Sequence, residues 1–241
     1  MTERLWTYPR ILVEDDLHEN TIVELSLAHA HYFKNVLRRQ DDNFIRLFNT
    51  RDGEWLASLQ NLSKKSGQAK LIRQTRTQDE STYKTGLYFA PIKKSRLDIL
   101  IEKAVELGVT NFHPVITERT ENRNLKIDRI TSQIHEAAEQ CERLTIPKLH
   151  KPLKLRELHQ DINIHACIER NTEKNPSKHI NEITSKNLNF LVGPEGGFTE
   201  DELNHLESTP NITPITLGKT IFRAETASII CLTHAMLLKH C

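Results

Sequence analysis

The chain has 241 residues, enough for one large domain or two small ones with buried cores. Hydrophobic residues make up 37% and the mean hydropathy is −0.52, a globular composition that argues against a disordered chain. No apolar run approaches the ~18 residues that cross a bilayer, and a net charge of +1, from 33 basic and 32 acidic residues, gives no global pull toward nucleic acid.

The start, "MTERLWTYPRILVEDD", lacks the apolar core and small-residue cleavage site of a signal peptide, so a cytoplasmic location is expected. Up to about residue 75 the pattern is short strands with one helix. "SLAHAHYFKNVLRR" (26–39) begins with a candidate N-cap serine and carries apolar residues at helical spacing. "FIRLFN" (44–49), "EWLASLQNL" (54–62) and "AKLIRQT" (69–75) are brief runs separated by turn signals at Asp52-Gly53 and Ser66-Gly67. That texture suits a small antiparallel barrel. The polar stretch "RTQDESTYKTG" (76–86) reads as a linker.

Beyond it, strands and helices alternate. "GLYFAPI" (86–92) is a strand candidate, and "SRLDILIEKAVELG" (95–108) a helix with Ser95 as cap and Asp98 in the capping-box position. Leu97, Leu100, Ile101, Ala104 and Val105 trace one face of it, and Gly108 ends it. "VTNFHPVI" (109–116) is a strand and "KIDRITSQIHEAAEQCERL" (126–144) an amphipathic helix. "INIHACIE" (162–169), "LNFLVG" (188–193) and "PITLG" (214–218) are strands, with helices from Glu200 and from about Ala224 after the last two. The alternation predicts an α/β domain with a mostly parallel sheet. The expected domains are therefore 1–77 and 82–241.

Several chemical signals fail on inspection. "LGKT" (217–220) lacks the earlier glycine of a phosphate-binding loop, since Thr213 stands there. "HEAAE" (135–139) lacks the second histidine of a zinc helix. His29 and His31, two apart on a helix, point about 200° apart. The four cysteines are scattered with no CxxC pair, which fits a reducing compartment, and none has the context of a nucleophile. No metal is expected.

Two strand-to-helix junctions remain. In "LVGPEGGFTEDE" (191–202), three of the eight glycines fall within five residues. Gly193, Gly196 and Gly197 remove Cβ atoms, so backbone N–H and C=O groups can face a ligand, while Pro194 stiffens the turn. Thr199 and Glu202 form a capping box, and Glu200 and Asp201 lie at the positive end of the helix dipole. Glu195 sits before the cap, where it either folds back onto the turn's own N–H groups or meets a cation. In "LGKTIFRAETAS" (217–228), Arg223, Glu225 and Thr226 cluster at the mouth of an apolar helix, either as a simple helix start capped by Thr226 or as a functional cation–carboxylate set. In open α/β sheets, ligands lie beyond the carboxyl ends of strands, where such loops meet.

"GPEGGFTEDE" followed by "LGKTIFRAETAS" resembles the paired signature of the RsmE family of SPOUT-class RNA methyltransferases. "YPRILV" (8–13), "HYFKNVLR" (31–38), "KKSRLDILIEKAVELGV" (93–109), "ITERT" (116–120) and "EAAEQCERLTIPKL" (136–149) are also similar to family segments, so the likeness spans nearly the whole chain. The resemblance implies a PUA-like RNA-binding β-barrel over 1–77. It further implies a SPOUT-type α/β trefoil-knot domain over 82–241 that binds S-adenosylmethionine, and a homodimer. The implied reaction is methylation of N3 of a uridine in small-subunit ribosomal RNA, free or in the assembled subunit.

Carried over by position, the cofactor loops would use Gly193, Glu195, Gly196, Gly197, Leu217, Phe222, Arg223, Thr226 and Ala227. Leu191 would lie at their strand end, and Ile168 and Glu169 would add a third wall. Glu225 would be the carboxylate base and Arg223 the cation at a uracil carbonyl, with Arg10 a second cation reached across domains or subunits. RNA phosphates would meet Arg10, Lys34, Arg38, Arg39, Lys64, Lys65, Arg73 and Arg76. Thr220 and Phe222 replace the family's usual arginine and leucine. Rival readings are methylation of another base or of a ribose 2′-OH by the same fold, and a non-catalytic RNA-binding module.

Overall fold

The structure, a computed structural model, describes residues 4–77, 83–158, 161–168, 178–185 and 187–239. Glu169 and the predicted boundary at 78–82 lie outside the described residues. The chain divides into two compact units: Met1–Glu80 with Ala138–Ile146, and Ser81–Ala137 with Pro147–Cys241. No helix among the described residues is long and apolar enough to cross a membrane.

In the first unit, strands β1 (Arg10–Leu12) and β2 (Ile22–Glu24) precede helix α1 (Leu27–His31), whose first turn is capped by the Ser26 hydroxyl accepting from His29 N–H. A π-helical turn continues it through Tyr32–Val36. Strands β3 (Phe44–Asn49), β4 (Gly53–Gln60) and β5 (Gln68–Arg76) follow. The sheet order is β1-β3-β4-β5-β2, with β1 parallel to β3 and the other pairs antiparallel. Alternating side chains send Ile45, Leu47, Ala57, Leu59, Ala69 and Leu71 into one core with Ile11, Val23 and Phe33, so the sheet curls around it. The β3–β4 turn is locked by Asp52, whose carboxylate accepts from Asn49 Nδ2 (2.8 Å) and Leu17 N–H (2.9 Å).

A buried ionic cluster corrects one expectation in this unit. Arg10 Nε donates to Glu54 at 2.7 Å, Nη1 to the Ala138 carbonyl at 3.1 Å and Nη2 to the Arg143 carbonyl at 2.7 Å. Its guanidinium also stacks on Phe48, 3.4 Å from the ring centroid. The Arg10 side chain is 3% exposed. It is therefore an internal fastener that holds Ala138–Ile146 to the strands, and not the catalytic or RNA-contacting cation expected from "YPRIL". Burial pushes its pKa down, an effect the Glu54 carboxylate opposes. Glu142 joins the cluster through Arg46 Nη2 at 2.8 Å, and that guanidinium holds its carboxyl below the usual range.

The second unit is α/β. In chain order it contains β6 (Thr85–Phe89), α2 (Lys94–Glu106), β7 (Asn111–Ile116), α3 (Ile127–Gln140, of which 138–140 belong to the first unit), β8 (Lys148–Leu149), β9 (Leu153–Lys154) and β10 (Ile164–Cys167). Then come β11 (Lys178–His179), β12 (Leu188–Val192), α4 (Glu200–Ser208), β13 (Ile212–Thr216) and α5 (Ala224–Lys239). The strands form an eight-stranded sheet ordered β11-β13-β10-β12-β6-β7-β8, with β9 paired to β7, and every pair is parallel. Central strands such as β6 and β12 are buried along nearly their whole length because both faces of a parallel sheet are covered.

Helix α2 buries the five residues its periodicity predicts, and Gly108 adopts φ +85° just beyond it. Its start differs from expectation. The helix begins at Lys94, ahead of Ser95, and Asp98 accepts from Arg129 Nη2 at 2.6 Å instead of closing a capping box. The predicted box on α4 does form. Thr199 accepts from Glu202 N–H, and the Glu202 carboxylate accepts from Thr199 N–H at 3.0 Å and from Glu118 N–H at 2.8 Å. Glu202 is 4% exposed. Glu202→Ala leaves two N–H donors unpaired and is expected to cost about 2–4 kcal/mol in denaturant unfolding.

Candidate functional site

Strands β13, β10 and β12 are adjacent and parallel, so their carboxyl ends lie on one edge of the sheet. Register fixes the level: Cys167 pairs with Val192 on one side and Ile215 on the other. These three residues floor a cavity of about 410 Å³. The glycine turn after β12 and the loop after β13 form its walls, and Ile168 at the end of β10 closes the third side. A cavity of this size lies within the range that encloses a small organic ligand.

Local geometry accounts for two of the three glycines. Gly197 adopts φ +70° and donates to the Pro194 carbonyl at 2.9 Å, which closes the turn. At Gly193 a Cβ would meet the Phe198 ring at 2.9 Å, so a side chain there would collide with the aromatic that lines the cavity. Arg119, on the loop after β7, clamps the turn from outside by donating Nη1 to the carbonyls of Gly196 (2.8 Å) and Phe198 (3.3 Å).

Charge is concentrated beside this turn. Arg96, in the first turn of α2, donates to Glu195, and its Nε lies 3.8 Å from Glu225 Oε1 in the first turn of α5. The two alternatives for Glu195 are thereby decided in favour of a cation. The Glu225 side chain is 13% exposed, and its Oε2 is buried without a hydrogen-bond partner. Cys231 Sγ lies 3.3 Å from Cys167 Sγ, and complete burial together with that neighbour pushes its thiol up, which keeps it protonated and unreactive.

Residues 79–236 match the family model described as RNA methyltransferase domain, and 28–72 match that described as RNA methyltransferase PUA domain. The chain is 36% identical over 239 residues to the ribosomal RNA small subunit methyltransferase E of Rickettsia conorii, covering 97% of this chain and 98% of that protein. The chain belongs to the ribosomal RNA small subunit methyltransferase E family. A second member, from Buchnera aphidicola of Acyrthosiphon pisum, is 29% identical, with 93% and 91% covered. Among solved structures, the Neisseria gonorrhoeae family member bound to S-adenosyl methionine superposes with a TM-score of 0.83 at 28% identity, covering 96% of this chain and 98% of that one. The α/β domain and PUA-like domain expected from the motifs are those of this family.

Most of the predicted loop residues come together at the cavity of this family member. Ile168, Gly193, Glu195, Gly196 and Gly197 line it, as do Leu217, Phe222 and Ala227. Three do not. Leu191 is fully buried in the core cluster with Tyr88 and Ala166, pointing into the packed sheet layer. Arg223 and Thr226 are exposed outside the wall. Helix α5 starts at Ala224, so Thr226 falls inside its first turn and does not cap it. The motif reading missed Arg96 and Arg119, although both stand in segments that resemble the family. The one signal available was position: Arg119 follows the carboxyl end of β7, as the glycine turn follows β12. Thr220, at the departure from the family motif, also lines the cavity.

On the first unit, Arg38, Lys64, Lys65, Arg73 and Arg76 are exposed, and Lys34 and Arg39 half-buried. Arg38 adopts φ +53°, and Arg76 Nη1 donates to the Glu142 carbonyl at 2.8 Å. No cluster of three or more metal-binding side chains occurs among the described residues.

Proposed function

We propose that the cavity binds S-adenosylmethionine and that the protein methylates N3 of a uridine in small-subunit ribosomal RNA. The observation that carries the reading is the cavity itself, framed by both glycine-bearing loops at the ends of three parallel strands. Its residues fit the group. Ile168, Val192, Leu217, Phe222 and Ala227 offer apolar walls for a flat heterocycle, and the turn needs Gly193 free of a Cβ. When bound, S-adenosylmethionine supplies an electrophilic methyl group on a sulfonium.

The protein's own work is then alignment and proton removal. Glu225 is the candidate base. Its buried, unpartnered Oε2 is an acceptor lacking a donor, which the N3–H of a uracil would satisfy. Arg223, exposed at the same helix start, would offset charge on a carbonyl oxygen as the proton leaves. The exposed cations of the first unit would hold phosphates. Arg38→Ala is expected to weaken RNA binding for all sequences and to lower the salt slope by about 1. A homodimer, a trefoil-knot path in the second unit and a cytoplasmic location belong to the same reading.

Calorimetry and thermal unfolding with S-adenosylmethionine test the cofactor step. Ligand at about 100 times its Kd should stabilise the protein by ~2.7 kcal/mol. No stabilisation at any concentration would favour a non-catalytic RNA-binding module instead.

A further inference from the structure

Arg96 has no role in the proposed reaction so far, yet it touches both acidic residues beside the cavity. It donates to Glu195 on the glycine turn and places Nε 3.8 Å from Glu225 Oε1 on α5. The three side chains are 31%, 26% and 13% exposed, so the Arg96–Glu195 pair meets solvent while the Glu225 end is the more sheltered. The Arg96 backbone is held firmly, because α2 is anchored by Leu97, Leu100 and Ile101, each nearly inaccessible, and packs directly against α5. With Oε1 of Glu225 turned toward Arg96, Oε2 is left as the oxygen without a partner.

We propose that Arg96 is a positioning residue that ties the glycine turn to Glu225, so that the turn's shape and the carboxylate's orientation are set together. The idea rests on the reading of Glu225 as the base. A guanidinium suits the task because its separate N–H donors face different directions, one toward each carboxylate. A lysine ammonium is a point charge on a flexible stem and lacks that fixed fork. Without the cation, Glu195 and Glu225 face each other as like charges, the turn loses its tether, and the base loses its aim.

Steady-state kinetics of the full chain with S-adenosylmethionine and small-subunit RNA test this. Arg96→Gln is expected to lower kcat by a factor of ~10 to 100, the scale of a small misplacement of a catalytic group. It should also raise KM for S-adenosylmethionine, and Arg96→Lys should recover only part of each loss. In a Glu225→Gln background, Arg96→Gln should lower kcat by no more than about twofold further, because the carboxylate it aims is gone. Its effect on KM should persist there, through Glu195. A merely structural contact would give the same kcat loss in both backgrounds, and that result, or an unchanged kcat in Arg96→Gln, overturns the proposal. Hydrogen exchange of the 193–198 amides adds a readout independent of chemistry: faster exchange in Arg96→Gln supports the tie, and unchanged exchange overturns it. If the wild-type chain methylates no RNA, the methylation reading fails, while exchange and cofactor affinity still decide the tie.

Discussion

Glu225→Gln is expected to lower kcat by a factor of ~10² to 10⁴, the range a positioned general base contributes. Glutamine keeps the shape of the side chain and its place in the first turn of α5, but it cannot take a proton. The loss should therefore fall mainly on kcat, with a much smaller change in affinity for S-adenosylmethionine, since Glu225 is not among the residues lining the cavity. Arg223→Ala should lower kcat by ~10² if its cation offsets charge on a uracil oxygen. Single-turnover assays at saturating S-adenosylmethionine measure both. A Glu225→Gln rate within about threefold of wild type would move the proton to another acceptor, and full activity in Arg223→Ala would remove the role assigned to that guanidinium.

The second large effect is on stability. Glu54 is 1% exposed and faces two buried guanidinium groups, Arg10 at 2.7 Å and Arg46 at 3.5 Å, while Thr75 donates to its other oxygen at 2.8 Å. Glu54→Ala leaves both cations buried without their shared carboxylate, and breaking a buried pair in this way costs about 3–5 kcal/mol. Both tryptophans, Trp6 and Trp55, belong to the first unit, so urea unfolding followed by tryptophan fluorescence reports on it directly. The midpoint should fall sharply. Replacing Arg10, Glu54 and Arg46 together by apolar residues of similar volume should restore much of the loss, because the penalty lies in an unpaired charge and not in the absence of an ion pair. An unchanged midpoint in Glu54→Ala would mean that water reaches the cluster.

These two sites differ in how far the sequence announces them. The face of α2 from Leu97 to Val105, the Thr199–Glu202 box and the glycine turn are local patterns, in which every residue that matters lies within a few positions of the next. Backbone periodicity and capping chemistry are enough to read them. The Arg10 cluster is different in kind, since its partners stand 44 and 128 or more residues away. Nothing in "YPRIL" says that its cation turns inward, and the expected contacts with uracil and phosphate place it outward. The same holds for Asp98, which looked like half of a capping box and is taken by Arg129 from 31 positions away.

The site shows the same division. Both loops were legible because the need for bare backbone leaves glycines in the sequence. What fastens them was not, because Arg96 reaches Glu195 across 99 positions and Arg119 reaches Gly196 across 77. Glu195 had two credible destinations from sequence, and only the placement of α2 beside the turn selects between them. The sheet order places β10 between β12 and β13, which is why Ile168 closes the third wall although its own stretch carries no motif.

The proposed reaction stands or falls on the identity of the methylated atom. Small-subunit ribosomal RNA lacking the modification is incubated with the purified chain and S-adenosylmethionine, digested to nucleosides and analysed by mass spectrometry against authentic standards. The expected new nucleoside is 3-methyluridine, absent with Glu225→Gln at matched times. A methyl group on a ribose 2′-oxygen, on another base, or on no nucleoside at all would contradict the proposed reaction.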